Sequence, residues 1–366
     1  MSGRQRVVVA MSGGVDSSTA AAVLLEEGHE VVGVTLKLTD ASGTAASVGG
    51  RCCSPRDIDD ARATAALLGF PHYVLDHTAA FRRAVIDDFV AEHKLGRTPN
   101  PCVRCNEKLK FGPLVQFARA VGAARLATGH YARIEAGADG TRLMRSRDRD
   151  KDQSYFLFGV SPSVLREVTF PLGDRTKEEV RAIARRVGLP NADKPDSQQI
   201  CFIPDGDHKA FVEARGGAGM TGELVDELGT SLGAHAGTHR FTIGQRKGVP
   251  TVDGQRRFVV RIEAATGRVV VGPRDSLLNR RLRVAELRWT GGPRPDVWPM
   301  RCAVQIRHHA AATPGWVAAP DRDGSGSTVD LDEPTSGVAP GQAAVFYDGD
   351  RVVGGGWIES AIGADA

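Results

Sequence analysis

The chain has 366 residues, of which 41% are hydrophobic and 25% charged, and its formal net charge is +3 at pH 7. This length exceeds the roughly 100–200 residues of one ordinary domain, and the composition excludes a disordered, collagen-like or disulfide-scaffold chain. The small net charge neither marks nor excludes binding to nucleic acid, which depends on local basic clusters.

The apolar run near the start of the chain and the cysteine content predict where the protein acts. The run at 7–11 is cut off by Gly13, Gly14 and Asp16, so it is too short for a secretory signal. No window reaches the roughly 18 apolar residues of a membrane span. Six cysteines are too few for a disulfide framework in a chain of this length. We therefore expect a soluble cytoplasmic protein without a membrane partner.

Residues 6–130 alternate short apolar runs with amphipathic stretches. Strands are predicted at 6–10, 31–38, 72–75 and 125–128, and helices at about 17–27, 57–69, 78–93 and 107–121. This alternation indicates a parallel sheet covered by helices, with its ligand at the carboxyl ends of the strands.

The second half of the chain has a different pattern. A hairpin at 133–146 with Asp139-Gly140 as its turn and a helix from Lys177 closed by Gly188 still belong to the first part. From about residue 219, short strands separated by Gly, Pro and Asp turns are predicted at 222–225, 239–243, 258–262, 269–271, 282–289 and 300–305. This spacing predicts a small β-rich domain at 206–275 and a barrel at 276–366, after a first domain at 1–205.

The loop after the first strand reads Met-Ser-Gly-Gly-Val-Asp-Ser at 11–17. Its glycines let backbone N–H groups approach an anion closely, and the following helix adds a favourable dipole. The Gly-Lys-Ser/Thr ending of a Walker A loop is absent. A plain strand-turn-helix is the alternative, but it does not account for this combination of two glycines, two serines and an aspartate.

Two cysteines lie in the segment 96–106, which reads Gly-Arg-Thr-Pro-Asn-Pro-Cys-Val-Arg-Cys-Asn. Asn106 is predicted to cap the next helix, which places Cys105 at a helix amino terminus, where the dipole lowers the pKa of a thiol. The polar neighbours Arg104 and Asn106 favour an exposed, reactive Cys105. Two alternatives stay open, a pair of buried structural cysteines and half of a zinc site with Cys102.

Cys201 stands between Ile200 and Phe202. Apolar neighbours raise the pKa of a thiol and disfavour its thiolate. A persulfide is more acidic than a thiol, so we expect Cys201 to carry a terminal sulfur and Cys105 to attack or resolve it. An ordinary core cysteine is the alternative for Cys201, and Cys302 is predicted to be a core residue.

The phosphate loop resembles the PP-loop of the ATP pyrophosphatases, which cleave ATP between the α and β phosphates and transfer AMP to a substrate oxygen. That resemblance implies a PP-loop, adenine nucleotide alpha hydrolase-like α/β domain that uses ATP. It also implies that Asp16 helps to hold Mg²⁺ or orients the loop. The implied nucleotide-binding residues of the loop are Ala10, Met11, Ser12, Gly13, Gly14, Val15, Asp16 and Ser17.

Several further motifs, in the same order along the chain, resemble the bacterial tRNA-specific 2-thiouridylases over nearly the whole length. The matching motifs cover 96–111, 127–131, 151–157, 200–203, 244–248 and 340–347. The resemblance implies ATP-dependent sulfuration at C2 of the wobble uridine in tRNAs for Lys, Glu and Gln. ATP adenylates the C2 oxygen, a persulfide on Cys201 supplies sulfur, and a Cys105–Cys201 disulfide remains to be reduced.

The same resemblance assigns the other site residues. Leu36 and Gly129 lie against the nucleotide, and Asn100, Pro101 and Cys102 face the target base. The remaining implied tRNA contacts are His130, Lys151, Asp152, Gln153, Arg307, His308 and Gln342. The implied persulfide donor is a cysteine desulfurase or a sulfur-relay protein.

Cys102 departs from the family pattern, which usually has aspartate at this position. Three thiolates can hold a [4Fe–4S] cluster and leave one iron open to a sulfur ligand. The sequence therefore raises the hypothesis that Cys102, Cys105 and Cys201 bind such a cluster.

Two other functions stay open at this stage. One is another PP-loop adenylating enzyme, such as a lysidine synthetase-like tRNA modifier, which needs no sulfur-handling thiols. The other is a redox-sensing RNA-binding protein without catalysis. The basic residues between Arg145 and Lys151 fit either contacts to tRNA phosphates or a solvated loop.

Overall fold

A computed structural model describes residues 3–39, 55–137, 140–195, 200–203, 206–290 and 295–362. Cys52, Cys53, the Asp139 half of the predicted hairpin turn and residues 196–199 lie outside these ranges. No helix in the described part of the chain is long and apolar enough to cross a membrane.

The strands are β1 (Arg6–Ala10), β2 (Glu30–Lys37), β3 (His72–Asp76), β4 (Arg125–Thr128), β5 (Ala132–Gly137), β6 (Gly140–Arg145), β7 (Val168–Thr169), β8 (Gly222–Val225), β9 (Ser231–His235), β10 (Phe258–Glu263), β11 (Arg268–Gly272), β12 (Leu278–Trp289), β13 (Met300–Gln305), β14 (Thr313–Val317), β15 (Gly326–Ser336), β16 (Ala343–Asp348) and β17 (Arg351–Ile362). The helices are α1 (Val15–Glu26), α2 (Pro55–Leu68), α3 (78–94), α4 (101–120), α5 (Pro162–Leu165), α6 (Lys177–Val187) and α7 (His208–Glu213).

The first layer is a parallel sheet of five strands in the order β3-β2-β1-β4-β7. Val7, Val8 and Val9 of β1 are almost completely buried, as expected for a central strand covered by helices on both faces. The four strands predicted before residue 130 are confirmed with bounds that differ by at most one residue.

Helix α4 begins at residue 101 rather than at 107, so the prediction of its start was wrong. The side chain of Asn100 caps it by accepting the Val103 N–H at 3.3 Å, and Pro101 occupies the first helical position, where its fixed φ suits a helix. Cys105 therefore lies in the second turn and not at the amino terminus. It is followed directly by a π-helical stretch, Asn106–Lys110, a feature often found at functional sites.

The small middle sheet has the order β10-β11-β8-β9. The strand predicted at 239–243 is wrong, because Thr238–Arg240 forms a 3₁₀ turn. The ring of His239 is buried in this turn, where it accepts the Gly219 N–H at 2.9 Å and pairs with Glu213 at 2.8 Å. These contacts fix a compact turn where the sequence pattern resembles a strand.

The third sheet has eight strands, and six of them, in the order β12-β15-β14-β13-β16-β17, close into a barrel through pairing of β12 with β17. The other two, β5 and β6, join the outside of β17 with Leu143 opposite Val352. A hairpin from the first domain thus extends the sheet of the barrel. The predicted fold class, a parallel-sheet α/β domain with a β-rich middle domain and a C-terminal barrel, is confirmed.

Candidate active site at the strand ends and the barrel junction

The loop between β1 and α1 has the backbone geometry of an anion cradle. Gly13 has a φ of +72°, and a Cβ there would lie 2.2 Å from the Asp57 carbonyl oxygen, so only glycine fits. The Ser17 hydroxyl accepts the Ser12 N–H at 3.1 Å and closes the loop. Gly14 is the N-cap of α1, and no described side chain caps the first N–H groups of this helix. Those N–H groups can therefore bind an anion.

The neighbouring strand ends meet this loop. A Cβ at Gly129, directly after β4, would lie 2.7 Å from the Ser17 nitrogen. Leu36 is buried near the end of β2, the strand next to β1. The side chains of Met11 and Val15 are buried in two core clusters, so only their backbone can contact a nucleotide.

Asp16, predicted to hold Mg²⁺ or orient the loop, forms an ion pair that the sequence did not reveal. Its carboxylate accepts from Lys177 Nζ at 2.7 and 2.9 Å and from the Tyr131 hydroxyl at 3.0 Å. Lys177 is the first residue of α6, where a cation opposes the helix dipole. That unfavourable placement is the signal in the sequence that could have indicated a partner elsewhere.

A second lysine lies on the other side of the loop. Lys194 Nζ donates to the Gly13 carbonyl at 3.1 Å and to Asp57 and Asp60 at 2.7 Å each. Burial would lower the pKa of Lys194, but hydrogen bonds to the two aspartates raise it, so the group is charged. Lys177 and Lys194, which the sequence analysis missed, therefore flank the loop as two cations that are each paired with carboxylates of this chain, and a bound polyphosphate would share them with Asp16, Asp57 and Asp60.

Cys105 is 4% exposed and belongs to the largest apolar core, whereas Cys102, one turn earlier, is exposed. The inference that Arg104 and Asn106 indicate exposure of Cys105 was wrong, because both side chains are buried. The Asn106 amide donates to the Phe156 carbonyl at 3.1 Å. The dipole at the amino terminus of α4 therefore acts nearer to Cys102 than to Cys105.

Arg104 connects α4 to the barrel. Its guanidinium donates two hydrogen bonds to Glu286 of β12, both at 2.9 Å, and lies 3.8 Å from the ring centre of Trp357 in β17. Burial would lower the pKa of Arg104, but hydrogen bonding to Glu286 raises it. Glu286 has a φ of +49° at a bulge of β12, so the strand bends where the pair forms.

Cys201 is partly buried and packs against the same apolar core that contains Cys105. The next residue, Phe202, contacts Phe81 and Phe89 with ring centres 5.6 and 5.3 Å apart. The structure therefore brings the two predicted catalytic cysteines to one core. Cys302 lies instead in the barrel core, where burial raises its thiol pKa to about 12, which confirms its predicted core position.

The cysteines do not form a metal site in this arrangement. Within the described ranges, no three His, Cys, Asp or Glu side chains gather closely enough to hold a metal ion. Cys102, Cys105 and Cys201 thus do not fit an iron–sulfur cluster as they stand here.

Residues predicted to contact RNA come from five segments of the chain, and four of these segments meet where the first domain contacts the barrel. Gln342 donates to the Thr98 carbonyl at 2.8 Å, and the Thr98 N–H donates to the Pro340 carbonyl at 2.7 Å. His308 contacts the Asp152 carbonyl at 3.0 Å. The segment that ends in Asn100 is therefore held against the barrel.

Two of these residues use their side chains inside the protein. The Asp152 carboxylate accepts from Arg145 at 2.8 Å, from the Ser146 N–H at 3.0 Å and from the Ser154 hydroxyl at 2.9 Å. Gln153 accepts the Tyr131 N–H at 3.0 Å. Their side chains shape the loop that presents Lys151.

The two histidines of the predicted RNA surface are neutral. His130 forms a 2.8 Å hydrogen bond with Thr128 and stacks on Phe111, and burial lowers its pKa to about 3. Burial also lowers the pKa of His308, whose ring packs against Phe156. Arg307, in contrast, is exposed and supplies positive charge beside them.

The first domain is a parallel α/β domain, and its loop of glycines and serines lies between two lysines at the strand ends. These features define a nucleotide-binding enzyme of the PP-loop class. Known families match all three parts of the chain: "tRNA methyl transferase HUP domain" at residues 5–205, "tRNA methyl transferase PRC-barrel domain" at 209–273 and "Aminomethyltransferase beta-barrel domain" at 279–358.

Two curated relatives extend over nearly the whole chain. The tRNA-specific 2-thiouridylase MnmA of Geobacter metallireducens is 49% identical over 364 residues, which are 98% of this chain and 98% of that protein. The protein of the same name from Rhodospirillum centenum is 50% identical over 365 residues, 97% of this chain and 92% of that protein. The chain belongs to the tRNA-specific 2-thiouridylase family, as its motifs predicted.

The family descriptions name methyl transfer, whereas the relatives are named for thiolation. Each of these relatives is about half identical to this chain over almost its full length, so the relatives define its family more narrowly than the domain descriptions do.

Proposed function

We propose that the protein catalyses ATP-dependent 2-thiolation of the wobble uridine of tRNAs for Lys, Glu and Gln. The observation that carries this proposal is the presence, in one domain, of a phosphate loop flanked by Lys177 and Lys194 and of two cysteines on one core. A lysidine synthetase-like activity is not favoured, because the near full-length relatives are named 2-thiouridylases.

Mg-ATP is the first substrate. Ser12, Gly13, Gly14 and Ser17 bind the β and γ phosphates through the N–H groups of the loop, with Leu36 and Gly129 against the nucleoside. The uridine C2 oxygen attacks the α phosphorus and displaces pyrophosphate. Lys177 and Lys194 stabilise the charge that develops on this leaving group. Since the Asp16 carboxylate pairs with Lys177, its role is to position the loop and that lysine.

Sulfur transfer follows adenylation. The terminal sulfur of a Cys201 persulfide attacks C2, and AMP leaves with the former C2 oxygen. The Cys105 thiolate then attacks the inner sulfur of the Cys201–uridine adduct, which releases 2-thiouridine and forms a Cys105–Cys201 disulfide. Two external thiols, or one dithiol, supply the two electrons that reduce the disulfide and are themselves oxidised to a disulfide, and a cysteine desulfurase or relay protein supplies the next persulfide sulfur.

The tRNA lies at the junction of the first domain with the barrel. Asn100, Pro101 and Cys102 contact the extruded base, and Gln342 and His308 hold the surrounding loops. His130, Lys151 and Arg307 contact the RNA directly. We assign residues 1–205 to catalysis, 206–275 to a middle adaptor and 276–366 to the tRNA-contacting barrel, in a protein of the cytoplasm.

No step runs through an iron–sulfur cluster, since the three cysteines do not gather as ligands here. The hypothesis raised by Cys102 is tested by purification without oxygen, iron analysis and a visible spectrum. Iron-free, fully active protein would rule it out, and stoichiometric iron that is lost in Cys102→Ser would support it.

The reaction is tested with purified protein, unmodified glutamate tRNA, Mg-ATP and a persulfide donor, followed by mass spectrometry of the digested nucleosides. We expect 2-thiouridine with the wild type and with the control Cys302→Ala, but none with Cys105→Ser or Cys201→Ser. Full activity of both serine variants would favour an adenylating enzyme without sulfur chemistry. Absence of AMP release in the presence of tRNA would favour an RNA-binding protein without catalysis.

A further inference from the structure

A cavity of about 550 Å³ in the middle domain has a basic lining. Four cationic side chains line it, contributed by Arg246, Lys247, Arg256 and Arg257. No ion pair or side-chain hydrogen bond engages any of these four groups within the described ranges. The cavity therefore concentrates positive charge that no carboxylate in the described part of the chain neutralises.

Several other basic side chains of the molecule are compensated by carboxylates. At the end of β6 and in the loop that follows it, Arg145 pairs with Asp152 at 2.8 Å, and Arg149 pairs with Asp350 at 2.6 Å. On the barrel, Arg301 pairs with Asp332 at 2.5 Å. Neutralised cations of this kind give little attraction to a polyanion, so the cavity is the stronger candidate for binding one.

The cavity wall is a defined loop rather than a set of loosely held side chains. The Gln245 side chain accepts the Thr242 N–H at 3.1 Å and donates to the Lys247 carbonyl at 2.8 Å. Val252 and Gln255 pair across the loop through backbone hydrogen bonds of 3.1 and 2.8 Å. These contacts order the loop that carries both basic pairs.

The chemistry of the lining selects phosphate groups. The remaining lining residues, Gly248, Val249 and Thr251, are small or uncharged, and among the residues that the structure describes neither an aromatic ring nor a carboxylate lines the cavity. A nucleobase site would offer a stacking ring, and a cation site would offer carboxylates. Arginine and lysine without these groups match phosphodiester oxygens.

The position of the cavity fits the same RNA as the catalytic junction. Arg257 directly precedes β10, and Ile262 at the far end of that strand packs on Gly96, where a Cβ would lie 2.6 Å from its Cγ2 atom. Five residues of strand span about 17 Å. The cavity thus lies roughly 17 Å from Gly96, the start of the segment that bears Cys102.

We propose that this cavity binds phosphodiester groups of the tRNA outside the target nucleotide, and so orients the RNA for the junction site. This proposal rests on the proposed function, because it takes tRNA as the substrate. A protein partner with an acidic surface, such as a sulfur donor, is the competing occupant.

The test compares the double variants Arg256→Gln/Arg257→Gln and Arg246→Gln/Lys247→Gln with the wild type. Binding of glutamate tRNA without ATP is measured by fluorescence anisotropy at several salt concentrations. We expect each double variant to bind about tenfold more weakly at low salt. The slope of log affinity against log salt should fall by about one for each phosphate that the variant no longer binds. The matched control is Arg301→Gln, which we expect to leave both values unchanged.

Thiolation is then assayed with a low-molecular-weight persulfide, which transfers its outer sulfur to the Cys201 thiol and leaves as a thiol, so that no donor protein is present. A raised KM for tRNA with an unchanged kcat supports the proposal. Unchanged affinity and salt slope in both double variants would overturn it. So would an activity loss confined to reactions with a protein persulfide donor, which would identify the cavity as a docking site for that protein. Wild-type protein that binds tRNA but forms no 2-thiouridine would instead refute the proposed function.

Discussion

Charged side chains at the catalytic junction have partners of opposite charge, whereas those that line the middle-domain cavity do not have such partners among the described residues. At the junction, the buried Arg104 has Glu286 and Glu107 as partners at 2.9 and 3.3 Å. In the cavity, Arg256 and Arg257 have no carboxylate partner in the described ranges. At the junction the paired charges fix the geometry of the protein's own elements, whereas the unpaired charges of the cavity are available to a partner. Variants at the two places should therefore fail in different assays.

The pairing at the junction also couples parts of the chain that are far apart in sequence. Glu107 pairs with Arg104 of its own helix, α4, and with Arg288 of β12. Together with the pair between Arg104 and Glu286, these contacts link the helix that carries Cys105 to the barrel. In the proposed complex, tRNA contacts both the barrel and this helix, so the network would position Cys105 for sulfur transfer.

The largest effect should come from breaking the pair at the phosphate loop. Lys177→Met removes a cation from the loop and leaves Asp16 without its ammonium partner. We expect AMP release with tRNA to slow by about 100-fold or more, since one lost charge-stabilising donor costs this much in other enzymes.

Arg186→Gln is the matched control, because Arg186 lies on the same helix in an exposed pair with Glu26. It should leave AMP release unchanged. If Lys177→Met released AMP at a rate within threefold of the wild type, this result would contradict the placement of Lys177 in the nucleotide site.

The next effect concerns the junction. Arg104→Gln should lower the free energy of unfolding by about 1–2 kcal/mol, a value discounted because Glu286 is half exposed. Formation of 2-thiouridine should fall about tenfold more than AMP release, because misplacement of Cys105 affects only the sulfur step.

Both rates are measured on the same preparation by quenched-flow sampling. Arg119→Gln is the control, because Arg119 lies on the same helix as Arg104 but forms an exposed pair with Glu167. This variant should change neither rate. Equal losses in the two steps would show that Arg104 is merely structural.

A smaller effect should appear in the pH dependence of stability. The hydrogen bonds from Arg104 hold the pKa of Glu286 below its ordinary value of 4.5. The stabilisation from this carboxylate is therefore present above pH 4.5 and is lost as the pH falls below it.

The melting temperatures of the wild type and of Glu286→Gln should differ by a few degrees at pH 7, because each kcal/mol of unfolding free energy shifts the melting temperature by about 2–4 °C. The two melting temperatures should converge as the pH approaches 3. A constant difference from pH 7 to pH 3 would contradict the assignment of the ion pair.

The smallest effect on tRNA binding is expected from the basic loop between Arg145 and Lys151, which the sequence analysis considered as a contact for tRNA phosphates. Arg147 pairs with Glu179 at 3.2 Å, so its charge is already compensated. Arg147→Gln should weaken tRNA binding less than about twofold, against about tenfold for the cavity variants. A loss in Arg147→Gln as large as that of the cavity variants would remove the distinction between paired and unpaired cations.

The parallel strands, the phosphate loop and the long helix α6 could be predicted because their signals are local. Val7 to Val9 form a β-branched run, and Gly188 takes the left-handed conformation that ends α6. The start of α4 was misplaced because both Asn100 and Asn106 are acceptable caps. The proline at the first helical position, which follows Asn100, would have decided between them.

The charge partners could not be predicted, since they come from distant parts of the chain. Arg104 and Glu286 are 182 residues apart, and Lys177 and Asp16 are 161 apart. Without these partners, Arg104 appeared to be a solvent-exposed neighbour of Cys105. The pairing of the β5–β6 hairpin with β17 is equally non-local, so the sequence assigned that hairpin to the first domain alone.

The central claim is that sulfur passes from Cys201 to an adenylated uridine and that Cys105 resolves the adduct. A single turnover tests it most directly: protein loaded with one ³⁵S persulfide per chain is mixed with unmodified glutamate tRNA and Mg-ATP in the absence of reductant. We predict one labelled 2-thiouridine per AMP released, together with a Cys105–Cys201 disulfide in the peptide mass spectrum. Labelled product without that disulfide, or AMP release with the label retained on the protein, would contradict the account.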